Sequence, residues 1–549
     1  MRFLRRALHP AEWSLPVWVV IGLLGVIMSS YAWIVSSPAG DTPDEGFHLT
    51  AIWCPDPIEK YCPVVENTAA GRAEVFVPQT VALAPDCYLQ RPRESASCVY
   101  ALSDTVQTGS FKYNKGMYPG TYYHVMHLFV TSDVNRSVLT MRWVNTGLAA
   151  LLFGALFFLA DPGGRRLVAY TTLGTAVPLV IYFTTSINPT GWGITGVVAA
   201  WMGVHLALST TSTRRQWALM GVGVMGALVA ASARADAAAF AVLVTGGAAL
   251  WHWRKVLHRL RLVVPLLIVG LLGIWGWFSG YQHGAALHGM RTDTAPGDPV
   301  RVFAFNLFYV PHWLAGFWGF AMSWLDTPVP NITVVLAATV TIGLCYHGLL
   351  RSKIKPSQAL VIIGVGAATI GTPLLILQEN LTHLPWDVQV RYLAPLIVVF
   401  VGTCLAAREG GPPRLPGLGA FVFVVFTTVA NAYALYTLIQ RFTAGQRNAG
   451  TETTWLNLSI GATWWRAGGP GPTKTWAIGS LGFALMALII FHLSTRPKPV
   501  KEPDDKTLAP EPEKSELEKS EPEEQEPAKQ EPAEQEPVAK AGKQPLFMW

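Results

Sequence analysis

Twelve apolar segments, joined mostly by short basic connections, constrain this chain more than any other feature. A helix that crosses about 30 Å of hydrocarbon needs about 20 mostly apolar residues. Segments near that length run over 15–35, 139–160, 167–186, 190–209, 216–233, 236–252, 262–280, 332–350, 358–377, 394–407, 417–439 and 476–494. Backbone inside a bilayer must satisfy its own hydrogen bonds, so each segment is expected as an α-helix. The fold class read from this is an all-α polytopic membrane protein of about twelve transmembrane helices. Of 549 residues, 51% are hydrophobic and only 14% are charged. Soluble domains carry about a quarter charged residues. A soluble enzyme, a disordered chain and a small disulfide-stapled domain are thereby excluded.

The short connections give the orientation. Basic clusters stand at Arg2/Arg5/Arg6, Arg165/Arg166, Arg214/Arg215, Arg254/Lys255/Arg259/Arg261, Arg351/Lys353/Lys355, Arg408/Arg414 and Arg496/Lys498. With twelve spans all of them fall on one side, which the positive-inside rule makes cytoplasmic. Residues 1–14 and the tail 495–549 are then cytoplasmic, and the chain is a multi-pass protein of the cytoplasmic membrane. The first segment is long and lacks a small-residue cleavage site, so it reads as a span and not a removable signal. Val302–Leu325 is also apolar, but counting it would put Arg351, Lys353 and Lys355 outside. Pro311 and His312 interrupt its middle, so it is expected as an interfacial or re-entrant piece on the outer face. The net charge of +6 hides a split, since Lys501–Trp549 holds 14 acidic residues against 7 lysines. The basic surplus elsewhere follows topology, and no nucleic-acid partner is implied.

Three stretches are expected outside the bilayer: a loop domain over 36–138, a loop over 281–331, and one over 440–475 with Trp455, Trp464 and Trp465. The spans and these later loops form a membrane domain over 139–494. Four of the six cysteines, Cys54, Cys62, Cys87 and Cys98, lie in the first loop. An even number in an oxidising compartment points to two disulfides. Three pairings are open. A zinc site is the rival, though the spacing of Cys54 and Cys62 suits zinc poorly. The Pro/Glu/Lys/Gln-rich tail cannot bury enough apolar surface to fold and is expected as a disordered segment. Its apolar end, Pro545–Trp549, is either a docking motif for a cytoplasmic partner or a tolerated terminus.

The residues that carry chemistry follow the first span directly: Gly40-Asp41-Thr42-Pro43-Asp44-Glu45-Gly46-Phe47-His48. Pro43 suits the first turn of a helix with Thr42 as its cap. On that helix Glu45 and His48, three apart, share a face. A solvated helix start is the plain alternative, because acids favour that position through the helix dipole. Arg391, at the outer end of the tenth span, is placed to grip phosphate in a forked geometry or to reach the headgroups. Arg234 and Asp236 form an ionisable pair in the turn between spans five and six. The oxygen-rich set Asp41, Asp44, Glu45 and His48 also suits Mg²⁺ or Mn²⁺. No phosphate-binding loop, dinucleotide fingerprint or nucleophile elbow is present.

Read in order, the motifs resemble the bacterial membrane-protein family called domain of unknown function 2142. They are the Pro43-Asp-Glu-x-x-His48 run, Tyr118-Pro-Gly-Thr-Tyr-Tyr123, Ile187-Asn-Pro189 and Val388-Gln-Val-Arg-Tyr-Leu-Ala-Pro395. The last is similar to the family's Gln-Gly-Arg-Tyr-x-x-Pro signature, with Val390 where the family has Gly. That family in turn resembles the GT-C glycosyltransferases, whose Asp-Glu pair after the first span is similar to the one here. The resemblance implies a GT-C-like bundle with an outer-face loop domain and a bacterial setting. It implies a polyprenyl-phosphate-linked sugar as donor, an envelope glycan or glycolipid as acceptor, and transfer at the outer face among membrane lipid. Asp44 would be the general base, Glu45 would orient the acceptor or hold a cation, and Asp41 would be in reserve. His48, Arg391, Tyr122, Tyr123, Asn188 and Arg234 would bind substrate, and a metal, if used, would sit on Asp44, Glu45 and His48.

Two functional classes lead on sequence alone, ahead of a non-catalytic assembly scaffold recruited through the tail. One is this glycosyltransferase. The other is a transporter or flippase of a lipid-linked or small substrate, which tends to show internal repeats and ionisable residues near the midplane. No clear repeat is present, and the acids lie at the outer edge.

Overall fold

A computed structural model describes residues 15–67, 72–284, 298–350, 353–382, 388–408, 410–446 and 456–495. Trp455, the basic residues before position 15 and the tail from 496 lie outside the described residues. Among the described residues, nine helices are long and apolar enough to cross a membrane. They are α1 (Leu15–Val35), α5 (Val134–Leu159), α8 (Pro189–Ser209), α9 (Thr213–Ala233), α12 (Val263–Phe278, extended to Leu260 by a 3-10 turn), α14 (Asn331–Leu349), α15 (Pro356–Asn380), α17 (Gly417–Thr443) and α18 (Pro472–Thr495). Two shorter apolar helices, α10 (Ala235–Trp251) and α16 (Ala394–Ala406), lie between them. The remaining apolar segment is the pair α6 (Pro162–Gly174) and α7 (Pro178–Thr184), which meet at 95°. Each of the twelve apolar segments is therefore helical.

The third of them corrects the expectation of a straight span over 167–186. Pro178 opens α7 and has no N–H to give to the preceding turn, and Val177 before it is extended (ψ 159°). Residues before proline disfavour the helical region, so the chain turns sharply there. A second correction concerns Pro311. The helix α13 (Pro299–Gly319) runs straight through it. The ring costs one hydrogen bond, to the carbonyl four residues back, and does not end the helix. Asp298 caps its start by accepting from Arg301 N at 2.9 Å.

At the centre stands α8, where every residue from Pro189 to Leu208 is buried. Its glycines let α9 approach closely: a Cβ on Gly196 would lie 2.5 Å from the Ala230 nitrogen. Small residues at helix contacts are the usual route to tight packing in membranes. The basic residues of the connections gather at one end of the bundle. Arg215 pairs with Asp161 at 2.7 Å, Arg166 donates to the Pro412 carbonyl, and Lys255 caps the last turn of α8 through Leu208 and Thr210.

The loop domain sits at the other end. It holds α2 (Glu45–Trp53), an antiparallel sheet of β1 (Val64–Asn67), β2 (Arg72–Pro78) and β3 (Gln107–Ser110), α3 (Gln79–Tyr88) and α4 (Gly120–His127). In β2, Val75 and Val77 are buried and Val75 faces Val64 and Ser110 across the two ladders. Of the three open pairings, the structure takes Cys54–Cys62 and Cys87–Cys98. Cys345 and Cys404 stay free in the bundle. The loop domain is tied to the bundle through Arg441 at the end of α17. It donates to the Tyr88 carbonyl at 2.7 Å and pairs with Asp326 at 3.1 Å. The helix α11 (Trp253–His258) completes the chain order at the basic end.

Candidate active site

The turn between α1 and α2 carries three carboxylates, and the fold sends them to two different arginines. Asp41 and Glu45 are fully buried and share Arg142, whose Nη2 donates to Asp41 Oδ1 at 2.9 Å and to Glu45 Oε1 at 3.2 Å. Arg142 also donates to the carbonyls of Ile34, Ser37 and Pro38. It thus closes the end of α1, whose last carbonyls have no helical partner. Tyr182 donates to Asp41 Oδ2 at 2.9 Å. Thr42 donates to Glu45 Oε2 through its backbone N–H at 3.1 Å and its hydroxyl at 2.7 Å. Arg466 also donates to the carbonyls of Val35 and Ser37. The segment between α13 and α14 also reaches this turn: Trp324 Nε1 donates to the Gly40 carbonyl at 2.9 Å, and Ser323 N to Tyr182 Oη at 3.1 Å.

Asp44 is set apart from this cluster by its backbone. Its φ of 67° is left-handed, and α2 opens one residue later, at Glu45. The expected start at Pro43 with a Thr42 cap is corrected accordingly. Thr42 instead donates to Glu45, and Asp44 occupies the cap position with its side chain turned away. That side chain is 47% exposed, against 0% for Asp41 and Glu45. Asp44 Oδ2 accepts from Arg391 Nη2 at 2.5 Å, while Arg391 itself is buried. Arg391 also donates to the Pro43 carbonyl at 3.1 Å and to Tyr392 Oη at 2.9 Å. It sits in a 3-10 turn, Val390–Tyr392, just ahead of α16.

A second guanidinium completes the arrangement. Arg234 forks onto Asp236 at 2.9 and 2.8 Å and lies 4.7 Å from the Tyr392 ring centre. Arg391 lies 4.8 Å from the same ring, so Tyr392 stands against both cations. Tyr118 contacts Arg234 at 5.6 Å.

Burial sets the ionisation of these groups. It pushes the Glu45 carboxyl up to about 8, helped by the Asp41 charge and opposed by Arg142. Burial also opposes a charge on Asp44, but Arg391, through its charge and its hydrogen bond, and Arg234 outweigh it and hold this carboxyl below its ordinary range. His48 is pulled down to about 3, chiefly by burial and further by Arg391 and Arg234. It is therefore a neutral ring, hydrogen-bonded through Nδ1 to Tyr123 Oη at 3.0 Å. For Glu45 the folded state binds more protons than the unfolded chain. Its contribution to stability is thus present at low pH and is lost as pH rises from about 4.5 to about 8. Thermal melting of Glu45→Gln beside the intact protein is expected to show the variant gaining relative stability across that window. A pH-independent difference would contradict the assignment.

The remaining sequence-predicted residues have partners within the protein. Asn188 donates to the Pro43 carbonyl at 2.9 Å and caps α8 by accepting from Thr190 N at 3.0 Å. Tyr122 is wholly buried with its ring edge-on to Trp192, and Tyr123 is occupied by His48. Among the described residues, no group of three or more His, Cys, Asp or Glu side chains converges on a metal position. Arg142, Tyr182 and Tyr392 are the members that sequence reading missed. Arg142 had a signal, being the lone charge inside the apolar segment 139–160.

The family model described as "Predicted membrane protein (DUF2142)" matches residues 27–400. The chain belongs to the DUF2142 family. In this DUF2142 protein the match spans the carboxylate turn, Arg142, Arg234 and Arg391. No curated protein matches the chain. Among solved structures it is similar to ArnT from Cupriavidus metallidurans bound to undecaprenyl phosphate. The identity is 11%, covering 88% of this chain and 78% of that one, with a TM-score of 0.40. A likeness at that level carries no chemistry from one chain to the other.

Proposed function

We propose that this protein is a membrane glycosyltransferase of GT-C type, taking a sugar from a polyprenyl-phosphate donor and adding it to a cell-envelope glycan or glycolipid. The observation that carries the reading is the Asp44–Arg391 pair. One half-exposed carboxylate is held by a buried guanidinium, with Arg234 against the same Tyr392 ring. The site lies at the end of the bundle opposite the basic connections. By the positive-inside rule that is the outer face, with the N-terminus and the tail cytoplasmic.

The chemistry follows from the pair. A guanidinium fork binds a phosphate in the same two-bond geometry as a carboxylate, so a donor phosphate competes with Asp44 for Arg391. Donor phosphate takes Arg391, and Asp44 loses the partner that holds its carboxyl low. The released carboxylate becomes a better base. The acceptor hydroxyl oxygen attacks the anomeric carbon, its proton passes to Asp44, and the bond from that carbon to the phosphate oxygen breaks. The bonding electrons leave with the phosphate, and Arg391 and Arg234 stabilise the charge that develops there. Asp41 and Glu45 hold the turn through Arg142 and take no part in proton transfer.

The test is a deletion strain complemented with the intact gene. Loss of one sugar from the envelope glycan, with accumulation of its polyprenyl-phosphate form, is expected and is reversed by the intact protein. An unchanged glycan and unchanged lipid-linked pool would end the proposal.

A further inference from the structure

We infer that the groove between α9 and α12 is a binding site for an anionic phospholipid of the leaflet at the basic end of the bundle. One acyl chain lies along the groove, and the headgroup phosphate meets Arg214 and Arg261. The two helices touch at the ends away from the basic connections, where a Cβ on Gly276 would lie 2.8 Å from Ala231. Toward the basic end a groove of about 410 Å³ opens between them. Pockets for small ligands begin at about 300 Å³. Trp217, Gly221, Val224 and Leu228 line the groove from α9. Pro265, Ile268 and Leu272 line it from α12.

The spacing of these residues makes one continuous stripe. Positions three and four apart share a helix face, and both sets recur at those intervals. Gly221 forms the floor, because a Cβ there would meet nothing within 4 Å. From Trp217 to Leu228 the stripe is about 16 Å long, at about 1.5 Å per residue. One leaflet contributes about 15 Å, half of the hydrocarbon core. The groove therefore runs from the basic end to the midplane, the depth of one acyl chain. No charged side chain lines it among the described residues, and Trp217, Leu228 and Ile268 are each more than a third exposed. A helix of a second copy is about 10 Å across, too wide to enter a groove of this volume.

Charge at the mouth selects the headgroup. Arg214 stands one turn before Trp217, and Arg261 one turn before Pro265. Both are exposed, and neither forms an ion pair among the described residues. Between them in sequence the only acid is Asp236, held by Arg234 at the other end of the bundle. Two further acids belong to neighbouring connections. Asp161 is paired with Arg215, and Glu409 lies outside the described residues. The positive-inside rule accounts for arginines at this end. It does not account for an apolar groove that begins one turn from two of them. Cations at the membrane surface attract a headgroup of net negative charge and discriminate against a zwitterionic one.

The experiment is titration of the purified, delipidated full-length protein in neutral detergent with dioleoyl phosphatidylglycerol, read by native mass spectrometry. Dioleoyl phosphatidylcholine, with the same chains and a zwitterionic headgroup, is the second arm. Saturable binding of phosphatidylglycerol is expected, about tenfold or more tighter than that of phosphatidylcholine. Arg214→Gln/Arg261→Gln is expected to erase that preference. Gly221→Leu fills the floor of the groove and is expected to weaken binding of both lipids about tenfold. It should not lower the melting temperature of the lipid-free protein, because leucine forms helix better than glycine. Absent binding, equal binding of the two lipids, or a preference that survives in the arginine double variant would overturn the site. Unchanged affinity in Gly221→Leu would place the lipid outside the groove and overturn it too. A protein dimer that Gly221→Leu breaks would put a second copy on this face in place of the lipid.

Discussion

Asp44→Asn is expected to lower sugar transfer by about 10²–10⁴-fold, the usual contribution of a positioned general base. The loss should fall on kcat. Asparagine still accepts a hydrogen bond from Arg391, and Arg391 keeps its bonds to the Pro43 carbonyl and Tyr392. The donor's phosphate no longer competes with a carboxylate for the guanidinium, so KM for the donor should stay level or fall. The measurement is steady-state transfer in membranes at matched protein level. Full activity in the variant would remove Asp44 as the base. A raised KM with kcat intact would make it a binding group instead.

The second large effect is on folding. Arg142→Met should destabilise the protein by about 3–5 kcal/mol, because it leaves the buried Asp41 without a cation and Glu45 without its guanidinium partner. The carbonyls of Ile34 and Pro38 lose their donor as well, while that of Ser37 keeps Arg466. Thermal denaturation in detergent should show a clear drop in melting temperature, or a loss of folded protein on expression. Adding Asp41→Asn to the same chain should recover part of the loss, since the buried charge is then gone. If Arg142→Met melts like the intact protein, the cluster does not fix the turn that presents Asp44.

The spans were legible because a bilayer accepts only long apolar helices, and the sequence carries twelve such runs. The bend after α6 was also written locally, in Pro178, yet it is easily read as part of one apolar run. The site was legible in one half only. Asp41, Asp44, Glu45 and His48 are neighbours in sequence, so their clustering beside the first span needs no fold to be seen. Their division into a buried pair and a half-exposed single residue was not. It depends on the left-handed backbone at Asp44 and on two arginines, Arg142 and Arg391, that are 101 and 347 positions from the carboxylates they bind. Pairings over such distances are set by helix packing, which local pattern does not encode. Arg142 is the exception, because a lone cation inside an apolar segment asks for a partner wherever that segment ends up.

The burial of α8 bears on how the protein is made. It is the least apolar of the nine long helices, and it has no face left for lipid once the bundle is complete. Partition into the bilayer rewards apolar surface, so this segment gains least from entering alone. Its glycines fit the backbone of α9, the next segment to leave the ribosome. Synthesis therefore favours insertion of α8 and α9 as a hairpin, with the later helix supplying the solvent that lipid does not. A ribosome stalled between the two would leave α8 exposed at the translocon, a substrate for quality control and not yet a membrane helix.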